Sequence, residues 1–166
     1  MKLSPKCHSS GTTLVEVLVA TLLLASFFAS LFEANAVCLR FIAASKQSVA
    51  AIEAVQARAE VFRSLAFSNL IDPSYVQNQV LNNPANASDF VKSATEVVKI
   101  SEYPPTANAV TQRTRWPDGT ITPDSTNTSL STPLVKVDIS QTWTGVLGGR
   151  QRTEQTSLII SNGTKK

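Results

Sequence analysis

The sequence predicts an α+β fold in which the second half of one long N-terminal helix lies across an antiparallel sheet. Three observations carry this. Thr12 to Phe32 is a predominantly apolar run with a single charge, Glu16. Neither glycine nor proline occurs from Thr12 to Asp72, which favours one uninterrupted helix. Near the end, Leu134 to Trp143 alternates apolar and polar residues, then Gly145, Gly148 and Gly149 precede a second strand-like stretch.

The helix starts behind a short polar leader, Met1 to Ser10, which carries Lys2 and Lys6 and no acidic residue. The positive-inside bias holds such a leader in the cytoplasm and sends the C-terminal part across the membrane. Thr12 to Phe32 supplies 21 residues. At ~1.5 Å per residue that is about 30 Å, the thickness of a bilayer's hydrocarbon core. Glu16 is the anomaly, because an acid well inside a bilayer costs on the order of 3 kcal/mol. Either it lies at the cytoplasmic interface and reaches water, or it neutralises a positive charge on another chain.

Beyond the membrane run the apolar residues narrow to a stripe: Val49, Ile52, Val55, Ala59, Phe62, Leu65 and Ala66. Spacings of three and four place these on one helical face, with Lys46, Glu53, Arg58, Glu60 and Arg63 mostly around it. Residues 34–72 are therefore expected to be the amphipathic half of the same helix, packed by that stripe on the C-terminal domain. Asp72-Pro73 stops it. A helix of about 60 residues would be roughly 90 Å long, too long for an ordinary compact domain.

Residues 73–166 then form the globular β part. Ser74 to Asp89 is rich in Asn, Ser and Pro and reads as a loop. Val91 to Tyr103 reads as a strand, with a short helix over Phe90 to Val97 as the alternative, and Pro104-Pro105 ends it. Val110 to Trp116 is a second strand, and Pro117 to Pro133 a turn-rich loop. The terminal hairpin is the clearest signal. Val135, Val137, Ile139 and Trp143 occupy one face of its first strand, Lys136, Asp138, Ser140 and Thr142 the other, and Gln141 is the exception. Arg150 to Ile160 returns after the glycines.

Composition limits function. The 166 residues suffice for one domain and an appendage. The net charge is +3, but without Lys2 and Lys6 the 15 basic residues fall to 13 against 12 acidic ones. A near-neutral chain gives no reason to expect nucleic acid as a partner. The only histidine, His8, and one of the two cysteines, Cys7, lie in the leader. What remains has a single cysteine, Cys38, and no histidine, so no Ser-His or Cys-His pair and no His-rich metal site is expected.

Gly11, Thr12 and Glu16, set between a basic leader and an apolar helix, resemble the cleavage and methylation motif of type IV prepilins and type II secretion pseudopilins. The match covers roughly the first third of the chain. In that family the cut follows the glycine, and glutamate is the fifth mature residue. The resemblance implies a leader of residues 1–11, cleavage by a prepilin peptidase between Gly11 and Thr12, and methylation of the new Thr12 amine. It also implies a membrane and filament-core helix over 12–33, with Glu16 as the charge partner of a neighbouring subunit's amine. Two departures matter. Major pilins commonly have helix-breaking glycine and proline where this chain has Ala25 and Glu33, which argues against a long-pilus major subunit. They also begin with phenylalanine rather than Thr12, a change tolerated among minor pilins and minor pseudopilins. The terminal hairpin, with Trp143-Thr144-Gly145 and a basic return strand, is loosely similar to those minor subunits.

The implied protein is a non-enzymatic, type IV pilin-like subunit without cofactor or metal. It is made in a bacterial inner membrane as a single pass with its N-terminus cytoplasmic and C-terminal domain periplasmic. Its partners would be the prepilin peptidase, other pilins or pseudopilins through the N-terminal helix, and the inner-membrane assembly platform. It would join a type II secretion pseudopilus or a type IV pilus. The alternative is a secreted binding domain released after Ala36, because Ala34-Asn35-Ala36 fits a signal-peptidase site. Against it, the uncharged run Val17 to Phe32 is long for a signal core, and Glu16 and Glu33 are unusual in one; a lipoprotein reading of Cys38 is weaker still, because Val37 is a poor residue before a lipidated cysteine.

Other residues carry weaker signals. Asp118, Asp124 and Asn127 share a loop and are candidate calcium ligands, but they match no EF-hand spacing. Polar turn chemistry explains them better. Arg113, Arg115 and Trp116 form a small basic-aromatic group of the kind that stacks on nucleic acid, although solvated arginines at a strand end account for it equally. The triplets at Asn86, Asn127 and Asn162 fit N-glycosylation acceptors by chance of composition.

Overall fold

A computed structural model describes residues 13–86, 88–104, 110–124, 130 and 132–163. The chain divides after Phe41 into two units. The first consists, among the described residues, of the leading part of helix α1, Leu14–Ser64 (51 residues). Thr13 starts α1: its carbonyl accepts from the amides of Glu16 (3.0 Å) and Val17 (3.2 Å), and its Oγ1 accepts from Glu16 N (3.3 Å). The helix then runs on without a proline or glycine to break it. It is long and apolar enough to cross a membrane.

The second unit holds the rest of α1 and everything after it. α1 ends at Ser64, not at Asp72. The amide of Leu65 bonds Phe62 O in a tightened last turn, and Ala66 is extended. This break lets the chain fold back. Helix α2 (Phe67–Leu70), helix α3 (Pro73–Tyr75) and a π-helical turn (Val76–Leu81) bury Leu70, Val76, Val80 and Leu81. A helix continued straight to Asp72 could not seat Leu70 and its successors over the sheet. Asp72 and Pro73 start α3 instead of stopping α1: Asp72 Oδ1 accepts from Ser74 N at 2.8 Å, and Pro73 fills the first turn. The stretch expected to be a loop, Ser74 to Asp89, is thus partly helical. Its Asn-rich end closes with Asn86 Oδ1 accepting from Ser88 N, and Ser88 Oγ caps helix α4 (Asp89–Ser93).

Among the described residues the sheet has five antiparallel strands in the order β3-β2-β1-β4-β5. They are β1 (Thr95–Glu102), β2 (Val110–Arg115), β3 (Ile121–Pro123), β4 (Leu134–Thr144) and β5 (Gln151–Ser161). Helix and strand share the stretch after Asp89, so each of the two readings of that segment holds in part. Among the described residues of the expected Pro117–Pro133 loop, β3 is the one strand. The β4–β5 hairpin is as the alternation predicts, with Val135, Val137, Ile139, Gln141 and Trp143 buried on one face. Gly148 and Gly149 have positive φ (71° and 62°), which their turn requires and which costs a glycine nothing.

Within this unit α1 packs on the inward sheet face, but not through the whole expected stripe. Val55, Ala59 and Phe62 are buried with Val98, Ile100, Val135, Val137, Ile139 and Leu158. Ala51 joins Ala94 and Trp143, whose indole meets the Phe90 ring edge to face at 5.4 Å. Val49 (54% exposed) and Ile52 (41% exposed) point away. Burial follows Ala44, Ala51, Val55, Arg58 and Phe62, a line on which small residues let the helix approach the strands.

Candidate functional site

The site that the sequence singles out is the start of α1. Gly11 and Thr12 lie outside the described residues. Glu16 lies in the first turn of the helix, where its carboxylate opposes the positive end of the helix dipole. Thr13-Leu14-Val15-Glu16 has the spacing of a capping box, and the Thr13 Oγ1 to Glu16 N bond forms half of it. At this position the Glu16 amide takes the cap bond and its carboxylate favours the helix start through the dipole, whatever it does between chains. The T-x-x-E pattern carries that signal, and attention to Glu16 as a membrane charge passes over it.

Downstream, the described residues from Thr13 to Ile42 are all exposed, Leu22 at 66% and Phe32 at 70% among them. The hydroxyls in this stretch are satisfied within the helix. Thr21 Oγ1, Ser26 Oγ and Ser30 Oγ donate to the carbonyls of Leu18, Leu23 and Phe27 at 2.8–2.9 Å. Such bonding removes the cost of carrying Thr and Ser through an apolar medium. The surface is thus apolar apart from a few charged side chains, the arrangement that suits lipid or other helices as surroundings. Ala34 to Ala36, the alternative cleavage site, lies inside α1, and Cys38 is exposed on it.

The remaining candidates do not converge. Arg113 and Arg115 are not solvated: β2 turns both to the inward face, in register with Val98 and Glu96, and both are buried. Burial lowers the Arg113 guanidinium below its ordinary pKa, and its Nη1 donates to Gln112 O at 3.1 Å. Only Trp116 of the three is exposed, with Nε1 donating to Thr122 Oγ1 at 2.9 Å. Asp118 is occupied by its own turn. It accepts from Thr120 Oγ1 (2.6 Å) and Thr120 N (2.9 Å), and these bonds hold its carboxyl below the usual range. Asn127 lies outside the described residues. Among the described residues no group of three or more His, Cys, Asp or Glu could hold a metal ion.

One cluster escapes sequence reasoning. Arg58, expected at the solvated edge of the stripe, is buried at the centre of the second unit. Its Nε and Nη2 bind both oxygens of Glu96 at 2.6 and 2.9 Å, Nη1 donates to Val80 O at 2.5 Å, and Nη2 also donates to Asn83 O at 2.7 Å. One guanidinium thus ties α1, β1, the π-helical turn and the segment after it. The fork geometry of arginine makes this possible, and lysine could not reproduce it.

The class so defined is a membrane-length N-terminal helix whose chain continues into a small α+β unit built on an antiparallel sheet. No protein-family model, curated protein or solved structure matches the chain.

Proposed function

We propose that the chain is a minor pilin or pseudopilin subunit, processed by a prepilin peptidase between Gly11 and Thr12 and methylated at Thr12. It is then assembled through α1 into a type II secretion pseudopilus or a type IV pilus. The observation that carries this reading is α1 itself. It is one unbroken helix with an apolar, wholly exposed leading part and one acid in its first turn, behind a basic leader ending in Gly11. In the bilayer that surface meets lipid; in a filament it meets like helices, with Glu16 against the Thr12 amine of a neighbour. On this reading the protein acts by assembly and not by catalysis, in the inner membrane and then in the periplasm, and the second unit selects neighbours or cargo.

N-terminal sequencing and intact mass of the protein from its native membrane fraction test the proposal. A start at Thr12 with one added methyl group is expected. A start at Val37 in a soluble fraction would replace the filament subunit with a secreted domain. Gly11→Ala is expected to slow processing and Gly11→Leu to block it. A fully processed Gly11→Leu chain would show that the cut lies elsewhere.

A further inference from the structure

We infer that Glu33 and Arg40 pair between adjacent copies of α1 and set the stagger at which parallel helices assemble. This rests on the filament reading above but uses different residues. From Val17 to Ser45 these are the only charged side chains. Both are exposed, and neither has an ion-pair partner among the described residues. Around them Phe32, Leu39 and Phe41 are each more than half exposed, so the charges sit in an apolar surface that association would cover.

Their spacing decides how they are neutralised. Seven residues are two helical turns less about 20°, so both stand on one face, about 10 Å apart along the axis. That is too far for an ion pair within one helix, which needs a spacing of three or four. Burying either charge unpaired in a helix contact is costly. Copies inserted behind the same basic leader run parallel, which excludes the antiparallel arrangement. An unstaggered parallel pair sets Glu33 on Glu33 and Arg40 on Arg40. A shift of seven residues, about 10 Å, sets Arg40 of one copy beside Glu33 of the next. The contact does not close on itself. It leaves one Glu33 and one Arg40 for further copies and so propagates as an open polymer.

The test uses the full chain in its native membrane, with the mature N-terminus read for every variant. Glu33→Arg and Arg40→Glu are each expected to lower recovered homo-oligomer about tenfold, the scale of a close charge pair. The double reversal, or co-expression of the two single variants, should restore it, which also shows that each variant folds. A Thr12 start with single variants that assemble like the parent, or a double reversal no better than either single, overturns the pairing alone. A Val37 start removes Glu33 and overturns both the pairing and the proposed function.

Discussion

Phe28 and Phe62 belong to the same helix and have opposite surroundings. Phe28 is 46% exposed, with the Phe27 ring edge to face at 6.0 Å, whereas Phe62 is fully buried against the sheet. The contrast extends to polar groups. Among the described residues of the first unit, hydroxyls are satisfied by their own helix, and no charged side chain has an ion-pair partner. In the second, Arg58 takes its partners from β1 and from carbonyls 22 and 25 residues away. The second unit supplies its own core; the first leaves a long apolar surface exposed.

The sharpest way to break this comparison is the same substitution in both places. Phe62→Ala should destabilise the second unit by about 3–5 kcal/mol, through lost transfer energy and the cavity left behind. Phe28→Ala should leave its unfolding midpoint unchanged and reduce association of α1 instead. Urea unfolding of the full chain in detergent, followed by fluorescence of the buried Trp143, measures the first effect. Recovery of oligomer from membranes measures the second. Equal losses of stability would mean that the two regions are not energetically separate.

Arg58 sharpens the point. Arg58→Met leaves Glu96 buried without its cation and should cost about 3–4 kcal/mol, whereas Arg58→Met with Glu96→Met should recover most of the loss. If the double variant is no more stable than the single, the carbonyls of Val80 and Asn83 contribute more than Glu96 does.

That pair also marks how far the sequence is legible. The β4–β5 hairpin is readable because its inward and outward residues differ chemically at nearly every position, and glycines mark its turn. The membrane-length helix is readable because nothing between Thr12 and Ser64 interrupts it. Arg58 is not, because a rule that sends charged residues to solvent overrides its spacing. Ala51, Val55, Arg58 and Phe62 follow at four, three and four, and Glu96 shares the parity of Val98 and Ile100. Geometry placed both inside, and only pairing made that tolerable. The helical turns between Ser74 and Asp89 are hidden for a related reason: Asn and Ser density signals a loop, while Val76 and Val80, four apart, signal a helix. At the α1 start, residue types identify Glu16, and the Thr13 cap is visible only when the two are taken together.

A smaller effect separates the place of Glu16 at the helix start from its proposed pairing with a neighbour. Thr13→Ala removes the cap and should weaken the first turn of α1 by about 1 kcal/mol. Glu16→Gln keeps a side chain suited to the capping box and loses only the charge. Amide hydrogen exchange over Leu14 to Leu18 should therefore rise most in Thr13→Ala and only slightly in Glu16→Gln, which keeps the Thr13 cap and loses the charge at the helix dipole. Incorporation into filaments should fall in Glu16→Gln. If incorporation instead tracks exchange across both variants, Glu16 acts by starting the helix and not by neutralising an amine.

The smallest effect belongs to the second unit's outer face. Burial would raise the Asp138 pKa, but the hydrogen bonds from Lys136 (2.8 Å) and Ser157, with the charges of Lys136 and Lys99, hold it below the ordinary value. A carboxyl with a depressed folded pKa stabilises the fold above its unfolded pKa and loses that contribution as pH falls through the folded one. The unfolded chain binds the proton first, so stability should decline from about pH 5 downward. Asp138 and Lys136 are about a third exposed, so solvent screening keeps the contribution under about 1 kcal/mol. Asp138→Asn should flatten the acid limb of the urea midpoint by that amount and change little at pH 7 beyond the constant loss of the pair. The same titration should leave oligomer recovery through α1 unaltered by the substitution. An Asp138→Asn chain that assembles differently would tie the outer sheet face to the contacts that the exposed helix alone is expected to make.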